Sequence, residues 1–279
     1  MFVQNLLENK KVLVTGGGTG LGKSMSERFL SLGAKVVICG RREDVLHDTC
    51  NEFNKKFSNR ASYKVCDIRD AHAVDNIIDD IWNDAPIDIL VNNAAGNFIS
   101  KTEDLSHRAF DVVLDIVLHG TVYVTLACGK KWLAHNLKAN VLNIVTTYAW
   151  TGSAYVVPSA MAKAGILAMT RSLAVEWGNR GIRMNAIAPG PFPTKGAWDR
   201  LIPNEDLGKM LETKNPLGRA GEHIELANLA TYLISDFSSY VNGEVITIDG
   251  GEWLQGAGEF NFLRALKNEE WENMKKRKK

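Results

Sequence analysis

The sequence predicts an α/β fold, a parallel sheet of about seven strands with helices on both faces. Short apolar segments of strand length alternate along the chain with longer segments of helical period. The short segments are continuously rich in valine, isoleucine and leucine, which indicates strands that are buried on both faces. This alternation of strands and helices predicts that the sheet is parallel.

Seven strands and six long helices follow from this pattern. The predicted strands are Lys11–Thr15, Lys35–Cys39, Ser62–Cys66, Asp88–Asn92, Val141–Thr146, Arg183–Ala188 and Glu244–Ile248. The predicted helices are Leu21–Leu32, Val45–Phe57, Ala71–Trp82, Leu105–Ala134, Pro158–Trp177 and Glu222–Ser235. Pro158 fits a first helical turn, where its missing N–H costs nothing, and Gly33 and Gly178 fit helix C-termini.

A glycine-rich segment lies between the first predicted strand and the first long helix. It reads Thr15-Gly16-Gly17-Gly18-Thr19-Gly20-Leu21-Gly22. Glycine lets the backbone turn tightly and approach a pyrophosphate closely, and the helix N-terminus adds free N–H groups. This strand–turn–helix context predicts a single Rossmann-type doubly wound sheet. The residues expected to bind the dinucleotide are Gly16, Gly17, Gly18, Thr19, Gly20 and Leu21.

The end of the second predicted strand discriminates between the two nicotinamide dinucleotides. A domain that binds NAD(H) places an acidic residue there, which accepts a hydrogen bond from the ribose 2′-hydroxyl. Here the strand ends in Cys39-Gly40-Arg41-Arg42, so no carboxylate repels a 2′-phosphate. The guanidinium groups of Arg41 and Arg42 can instead pair with that phosphate. The sequence therefore predicts NADP(H) as the cofactor.

One NADP-binding domain is expected over residues 1–279, since no linker, low-complexity stretch or internal repeat marks a boundary. The segment 190–220 is rich in proline and too long for a simple connection, which predicts a lid over a substrate site. Residues 252–279 form a C-terminal extension that ends in five basic residues, Lys275–Lys279. We interpret this basic tail as a solvated chain end.

The composition argues against several other classes of protein. The net charge is +1 and the basic tail contributes five positive charges, so the rest of the chain is slightly acidic, unlike a nucleic-acid-binding protein. The four cysteines are scattered and form no metal-binding motif, which indicates a reduced, intracellular protein without a metal site. No membrane span and no signal or transit peptide is predicted.

The motifs resemble those of the short-chain dehydrogenase/reductase family over nearly the whole chain. Thr15–Gly22 matches the T-G-x-x-x-G-x-G of that family, and Asn92–Gly96 matches the N-N-A-G after its fourth strand. Asp67 fits the acidic residue near the adenine, and Pro189-Gly190 fits the P-G after the sixth strand. The resemblance implies a nicotinamide-dependent oxidoreductase.

The usual Asn-Ser-Tyr-Lys active site of the family is incomplete in this chain. Lys163 is present, but Ser159 takes the place of the tyrosine four residues earlier, where the two side chains would share a helical face. Thr146 takes the serine position and Val117 the asparagine position. Either the protein binds NADP(H) without catalysis, or another acid replaces the tyrosine.

A phenol just beyond the fifth strand is the candidate for that acid. Tyr148 lies two residues after Thr146, at the edge of the sheet where substrates are expected to bind. Asn97, just past the fourth strand, is a second hydrogen-bond donor. Tyr155 lies nearby in the sequence and is a competing candidate.

Four segments narrow the resemblance to the mitochondrial-type 2,4-dienoyl-CoA reductases. These segments are residues 92–98, 146–152, 156–165 and 189–192. The resemblance implies NADPH-dependent reduction of 2,4-dienoyl-CoA to 3-enoyl-CoA, an auxiliary step in the β-oxidation of unsaturated fatty acids. The implied catalytic residues are Tyr148, Lys163, Asn97 and Ser159.

The same resemblance implies the binding residues, the oligomeric state and the location of the protein in the cell. The implied NADP contacts beyond the glycine segment are Arg41, Asp67, Lys163, Pro189, Gly190, Pro191 and Phe192. The implied acyl-CoA contacts are Arg69, Asn97, Phe98, Ser106, Ser159 and Arg200. A homotetramer joined through the two longest helices and a mitochondrial location, with the cytoplasm as the alternative, are also implied. Another short-chain reductase, acting on enoyl-CoA or carbonyl substrates, remains the alternative function.

Overall fold

A seven-stranded parallel sheet forms the centre of the computed structural model, which describes residues 2–194 and 215–276. The strands are β1 (Lys11–Thr15), β2 (Lys35–Gly40), β3 (Ala61–Val65), β4 (Ile89–Asn92), β5 (Ala139–Ile144), β6 (Ile182–Pro189) and β7 (Val245–Ile248). They lie in the order β3-β2-β1-β4-β5-β6-β7, and every neighbouring pair is parallel. The prediction of seven parallel strands is confirmed, with each end within two residues of its expected place.

Helices cover both faces of the sheet. They are α1 (Gly20–Ser31), α2 (Glu43–Phe57), α3 (Ala71–Asp84), α4 (His107–Leu114), α5 (Gly120–Ala134), α6 (Tyr148–Thr151), α7 (Val157–Gly178), α8 (His223–Ile234), α9 (Glu252–Ala257) and α10 (Asn268–Lys276). Apolar residues of α1, α2 and α8 pack in one core cluster, whereas those of α3, α5 and α7 pack in a second cluster across the sheet. Two apolar layers thus enclose strands that carry apolar side chains on both faces.

The strand order reverses between β1 and β4, which places a crevice at their carboxyl ends. Successive strands build outward from β1 to β2 and β3, and then outward in the other direction from β4 to β7. Connections on the two sides of this point leave the sheet in opposite directions, so the loops above it separate. The register pairs Val14 with Val91, one residue before each strand ends. The loops after β1 and β4 therefore begin side by side.

A continuous helical run links β4 to β5 and differs in detail from its prediction. The sequence predicts one helix from Leu105, whereas α4 begins at His107 and passes into α5 through a π-helical turn, Asp115–His119. The run His107–Ala134 is long and apolar enough by composition to cross a membrane, but 50% of its most apolar stretch is buried inside the protein. It packs as a core helix of the α/β domain.

Short helices occur where the sequence predicts none, and one predicted segment is mostly not described. The residues after β5 are expected to form a loop, but they form the short helix α6. The C-terminal extension contains α9, a 3-10 turn at Asn261–Ala265 and α10. The predicted lid, 190–220, lies mostly outside the described residues. Such short helices carry too few apolar positions for a period to be recognised in the sequence.

Candidate active site

A cavity of about 620 Å³ opens at the carboxyl ends of the central strands. It runs from the turn after β1 to the loops that follow β5 and β6. The predicted site residues that line it are Gly16, Gly18, Thr19, Gly20, Leu21, Arg41, Arg42, Asp67, Asn97, Tyr148, Ser159, Lys163, Pro189, Gly190 and Phe192. The structure thus brings the predicted cofactor residues and the predicted catalytic residues together in one cavity.

The glycine turn is shaped by contacts that exclude side chains. Gly16 has a φ of +65°, in the left-handed region that favours glycine. A Cβ atom on Gly22 would lie 2.4 Å from the carbonyl oxygen of Gly16, and one on Gly17 would lie 2.6 Å from Ile38. Because the first of these neighbours is backbone, it cannot rotate away. The turn therefore depends on glycine for its shape.

The first turn of α1 presents free backbone donors to the cavity. Thr19 is the N-cap residue, and its side chain makes no capping hydrogen bond to this helix. The first turn carries no acidic residue. Uncapped N–H groups and the positive end of the helix dipole form an anion site, which fits a dinucleotide pyrophosphate.

The loop after β4 is fastened to this glycine turn. The Thr15 hydroxyl accepts hydrogen bonds from the backbone N–H groups of Asn93 and Ala94, each at 3.0 Å. The Asn93 side chain in turn donates to the carbonyl of Thr15 at 3.1 Å. Asn92 donates to Asn143 and Thr125 below the site. Both asparagines of the motif therefore hold the strand ends in place.

Four charged residues follow β2 and β3. Arg41 and Arg42 are exposed and line the cavity at its far end from Lys163. Asp67, after β3, forms an ion pair with Arg69 through both carboxylate oxygens. The Arg69 hydrogen bonds lower the pKa of the Asp67 carboxyl, with a further contribution from the charge of Arg41. Because Asp67 pairs with Arg69, the guanidinium of Arg41 remains available to contact a ligand in the cavity.

Lys163 occupies the centre of the opposite end of the cavity. It is 5% exposed, and its Nζ donates a hydrogen bond to the carbonyl oxygen of Ile144, the last residue of β5, at 2.5 Å. Burial disfavours the charged form and lowers the pKa of the ammonium to about 8. One turn earlier on α7, Ser159 is 2% exposed and faces the same cavity.

Tyr148 reaches this pair from a different element. It is the first residue of α6, and its hydroxyl lies 3.0 Å from the Ser159 hydroxyl, at hydrogen-bonding distance. The phenol is therefore joined through Ser159 to the helix face that carries Lys163. Tyr155, the competing candidate, is 58% exposed and does not line the cavity. Of the two phenols, that of Tyr148 lies in the cavity lining.

Two further polar groups point to a ligand at this end. Asn97 lines the cavity, and its side-chain oxygen accepts a hydrogen bond from the Phe98 N–H at 2.9 Å, so its amide nitrogen remains as a donor. Among the residues that the structure describes, the buried hydroxyl of Thr146 has no hydrogen-bond partner. A buried hydroxyl without a partner is costly, and a bound ligand would satisfy it.

Some predicted site residues lie elsewhere. Ser106 caps α4, where its hydroxyl accepts a hydrogen bond from the N–H of Ala109. Phe98 packs against the apolar cluster around Val117 and Ile166. The predicted residues that do not line the cavity are Gly17, Arg69, Phe98, Ser106 and Pro191. Arg200 lies outside the described residues.

Sequence reasoning also missed residues that shape the site. Ile116, in the π-helical turn, and Thr194, after β6, both line the cavity. His223 joins Thr194's segment to α1: its Nε2 donates to the carbonyl of Pro193 at 2.7 Å, and its Nδ1 lies 2.8 Å from the Ser24 hydroxyl. No sequence pattern indicates this bridge, because its members are separated by up to 199 positions.

The residues present fit a nicotinamide dinucleotide. The glycine turn is a cradle that a Cβ would fill, the α1 N-terminus is uncapped, and the Thr146 hydroxyl lacks a partner in the described chain. Gly16–Leu21 would hold the pyrophosphate, and Lys163 would hold the ribose nearest the reacting ring. These features match a Rossmann-type site at the switch point of the sheet.

Comparison with known families agrees with this geometry. Residues 16–252 match the family described as enoyl-(acyl carrier protein) reductase. The chain belongs to the short-chain dehydrogenase/reductase family. Within it, the chain is 45% identical over 95% of its length to an uncharacterized oxidoreductase of Caenorhabditis elegans, 87% of which is covered. The short-chain fold and the cavity together make this chain an oxidoreductase that uses a nicotinamide cofactor.

Two relatives in this short-chain family carry more specific names. A probable 2,4-dienoyl-CoA reductase of Caenorhabditis elegans, named as (3E)-enoyl-CoA-producing, is 43% identical over 95% of this chain and 88% of its own length. A probable 2,4-dienoyl-CoA reductase of Bacillus subtilis, named as (2E)-enoyl-CoA-producing, is 42% identical over 89% of this chain and 98% of its own length. The two names differ in the position of the product double bond.

Solved short-chain dehydrogenases share the fold. The crystal structure of one from Bacillus anthracis has a TM-score of 0.80 and 44% identity, and the match covers 88% of this chain and 96% of that one. A structure from Agrobacterium tumefaciens, named for 2-deoxy-D-gluconate 3-dehydrogenase and holding bound NADP, has a TM-score of 0.81 and 33% identity. That match covers 89% of this chain and 98% of the other.

Proposed function

We propose that this protein reduces 2,4-dienoyl-CoA to 3-enoyl-CoA with NADPH. The observation that carries the proposal is the hydroxyl of Tyr148, which lies 3.0 Å from Ser159, one helical turn before the buried Lys163. The usual helix tyrosine of the family is absent, and a phenol from α6 faces the serine in its place. The relatives named for dienoyl-CoA reduction support this assignment.

The chemistry requires an acceptor for negative charge. When bound, NADPH supplies a hydride to C5 of the conjugated diene. Electron density then moves through the diene onto the thioester oxygen, giving a dienolate. The hydroxyl of Tyr148 and the amide nitrogen of Asn97 would donate hydrogen bonds to that oxygen, which is the role of an oxyanion hole. A proton from solvent at C2 completes the 3-enoyl product.

Ser159 and Lys163 would act on the phenol and the cofactor. Ser159 holds the Tyr148 hydroxyl at its present position through their hydrogen bond. In its charged form, Lys163 would favour negative charge on nearby oxygens and donate to the nicotinamide ribose. Burial lowers the pKa of Lys163 only to about 8, which is above neutral pH, so the ammonium still predominates there.

The coenzyme A portion of the substrate is anionic, so cationic side chains are expected to bind it. We propose Arg69 and Arg200 as contacts for it, with Ser106 and Phe98 along the acyl part. Arg69 is 38% exposed at its side chain while it pairs with Asp67, so it can contact a second anion. A bidentate guanidinium suits phosphate groups.

NADP(H), in preference to NAD(H), is part of the proposal. Arg41 and Arg42 line the end of the cavity after β2, where NAD-binding domains carry a carboxylate. The nearby carboxylate, Asp67, is engaged by Arg69. A 2′-phosphate at this end would therefore meet two guanidinium groups.

A substrate panel tests the proposed function. The purified protein is assayed for NADPH oxidation with 2,4-hexadienoyl-CoA, a 2-enoyl-CoA, a ketone and a sugar. The proposal predicts the highest kcat/KM for the dienoyl-CoA. If only the ketone or the sugar is turned over, the protein is assigned to another class of reductase. NADPH binding without any turnover would favour a nucleotide-binding protein without catalysis.

We further propose a homotetramer, supported by exposed apolar residues on the longest helices. Leu126 on α5 is 40% exposed and Val175 on α7 is 84% exposed. Burial of such side chains between protomers would remove apolar surface from water. Light scattering during size-exclusion chromatography should give four times the chain mass, and a monomer would contradict the proposal.

A further inference from the structure

The distal part of the proposed acyl chain needs a binding surface beyond the reacting end of the cavity. Only the first five carbons of a 2,4-dienoyl chain take part in the reaction, and a hexadienoyl chain has one carbon beyond them. In longer substrates every methylene beyond C5 must lie outside the reacting position. The cavity there is bounded by Asn97, Ile116, Tyr148 and Ser159, so the chain must pass their outer edge.

Exposed apolar side chains follow two of these residues closely in the chain. Ile99 follows Asn97 by two positions and is 49% exposed, and Trp150 follows Tyr148 by two positions and is 38% exposed. The loop that carries Ile99 is tied to the loop after α6, because the Ser100 N–H donates to the carbonyl of Tyr155 at 3.0 Å. The loop that carries Ile99 is therefore held beside the segment that follows α6.

The C-terminal extension adds a second tryptophan at the same place. Trp253, in the first turn of α9, packs edge-to-face on Trp150, with ring centroids 5.9 Å apart and planes at 85°. The adjacent Leu254 is 63% exposed. The pair thus connects α6, which carries Tyr148, to a segment that is distant in the chain.

A hydrogen bond to Asp249, which packs against the cavity residue Gly190, fixes the position of Trp253. Its backbone N–H donates to the carboxylate of Asp249 at 2.8 Å, and the N–H of Gly251 donates to the other carboxylate oxygen at 2.9 Å. Asp249 abuts Gly190, where an added Cβ would lie 2.6 Å from the Asp249 Cβ. Because Gly190 lines the cavity, α9 begins beside the proposed active site.

We propose that Ile99, Trp150, Trp253 and Leu254 form an acyl rim that binds the part of the acyl chain beyond C5. The inference rests on the proposed function and deepens it, since it makes the enzyme selective for longer chains. Single exposed apolar residues are ordinary, but the packed pair of Trp150 and Trp253, anchored next to a cavity residue, is a candidate ligand surface. Tryptophan offers a large rigid face that suits a flexible methylene chain.

Kinetics with dienoyl-CoA substrates of increasing length test the acyl rim. KM and kcat are measured for the hexadienoyl, decadienoyl and tetradecadienoyl thioesters, in the unmodified protein and in the double variant W150A/W253A. The ratio of KM for the tetradecadienoyl to the hexadienoyl substrate should rise about tenfold, as expected when two or so methylene groups return to water. Phenylalanine at both positions should restore most of the selectivity.

Trp82→Ala is the matched control. Trp82 packs against His135 in a tilted arrangement and lies near Lys131, at the opposite edge of the sheet, so the KM ratio should stay unchanged. A ratio that is also unchanged in W150A/W253A, or equal losses for all chain lengths, would overturn the acyl rim and leave the pair as packing for α6. Failure of the unmodified protein to turn over any dienoyl-CoA would overturn the proposed function, and the rim with it.

Discussion

The two ends of the cavity are built by opposite means. At the nucleotide end, the turn proposed to hold the pyrophosphate is one continuous stretch, Thr15–Gly22, whose shape depends on close contacts that exclude side chains. The reacting end is assembled from separate segments, with Tyr148 on α6, Ser159 and Lys163 on α7, and Asn97 after β4. The residues of a local site are adjacent in the sequence. In an assembled site, a functional group can come from a different element and still occupy the same position.

The largest effect is expected at the assembled end. Tyr148→Phe removes the hydroxyl that contacts Ser159 and should lower kcat by roughly 10²–10⁴, as for a placed proton or hydrogen-bond donor. Steady-state kinetics with a dienoyl-CoA would measure it. Tyr155→Phe, which alters an exposed side chain, should cost less than threefold. The reverse ranking of the two variants would place the acid on Tyr155.

The next effect tests charge at the nucleotide end. Arg41→Ala removes a guanidinium from the proposed 2′-phosphate contact and should lower kcat/KM for NADPH by about 10–100-fold, the usual value of a charged hydrogen bond. The value for NADH should change little. Arg180→Ala, an exposed arginine before β6, serves as the control. Equal losses for both cofactors would contradict selection through the phosphate.

A steric change tests the local construction of the glycine turn. Gly22→Ala places a Cβ 2.4 Å from the Gly16 carbonyl and should destabilise the protein by about 1–3 kcal/mol, with weaker NADPH binding. Thermal unfolding with and without NADPH would measure both effects. Gly256→Ala is the matched change, since nothing lies within 4 Å of its added Cβ. Equal behaviour of the two variants would show that the turn can relax.

The smallest effect concerns pH. Burial lowers the pKa of Lys163 to about 8, so in the unliganded protein the ammonium is lost as pH rises through 8, whereas an unfolded chain stays protonated to about its ordinary value of 10.5. Affinity for the anionic NADPH should therefore fall several-fold between about pH 7 and 9. Fluorescence titration would measure it. Lys163→Met should remove the dependence, and an unaltered pH curve in that variant would assign it to another group.

The difference between the two ends also explains what the sequence could predict. The strands and the glycine turn depend on neighbouring residues, so apolar runs and glycine spacing indicated them. The position of Tyr148 after β5 in the sequence indicates it as a candidate site residue. Its contact with Ser159, however, depends on how α6 folds back on α7. The pairing of Asp67 with Arg69 was missed, since the two were assigned to different ligands.

Isotope transfer tests the central claim most directly. The protein is incubated with 2,4-hexadienoyl-CoA and NADPH that carries deuterium at the transferred position, and the product is examined by NMR. The account predicts one deuterium at C5 and a double bond between C3 and C4. Deuterium at C3 or at the carbonyl carbon, or an unconsumed dienoyl-CoA, would contradict it.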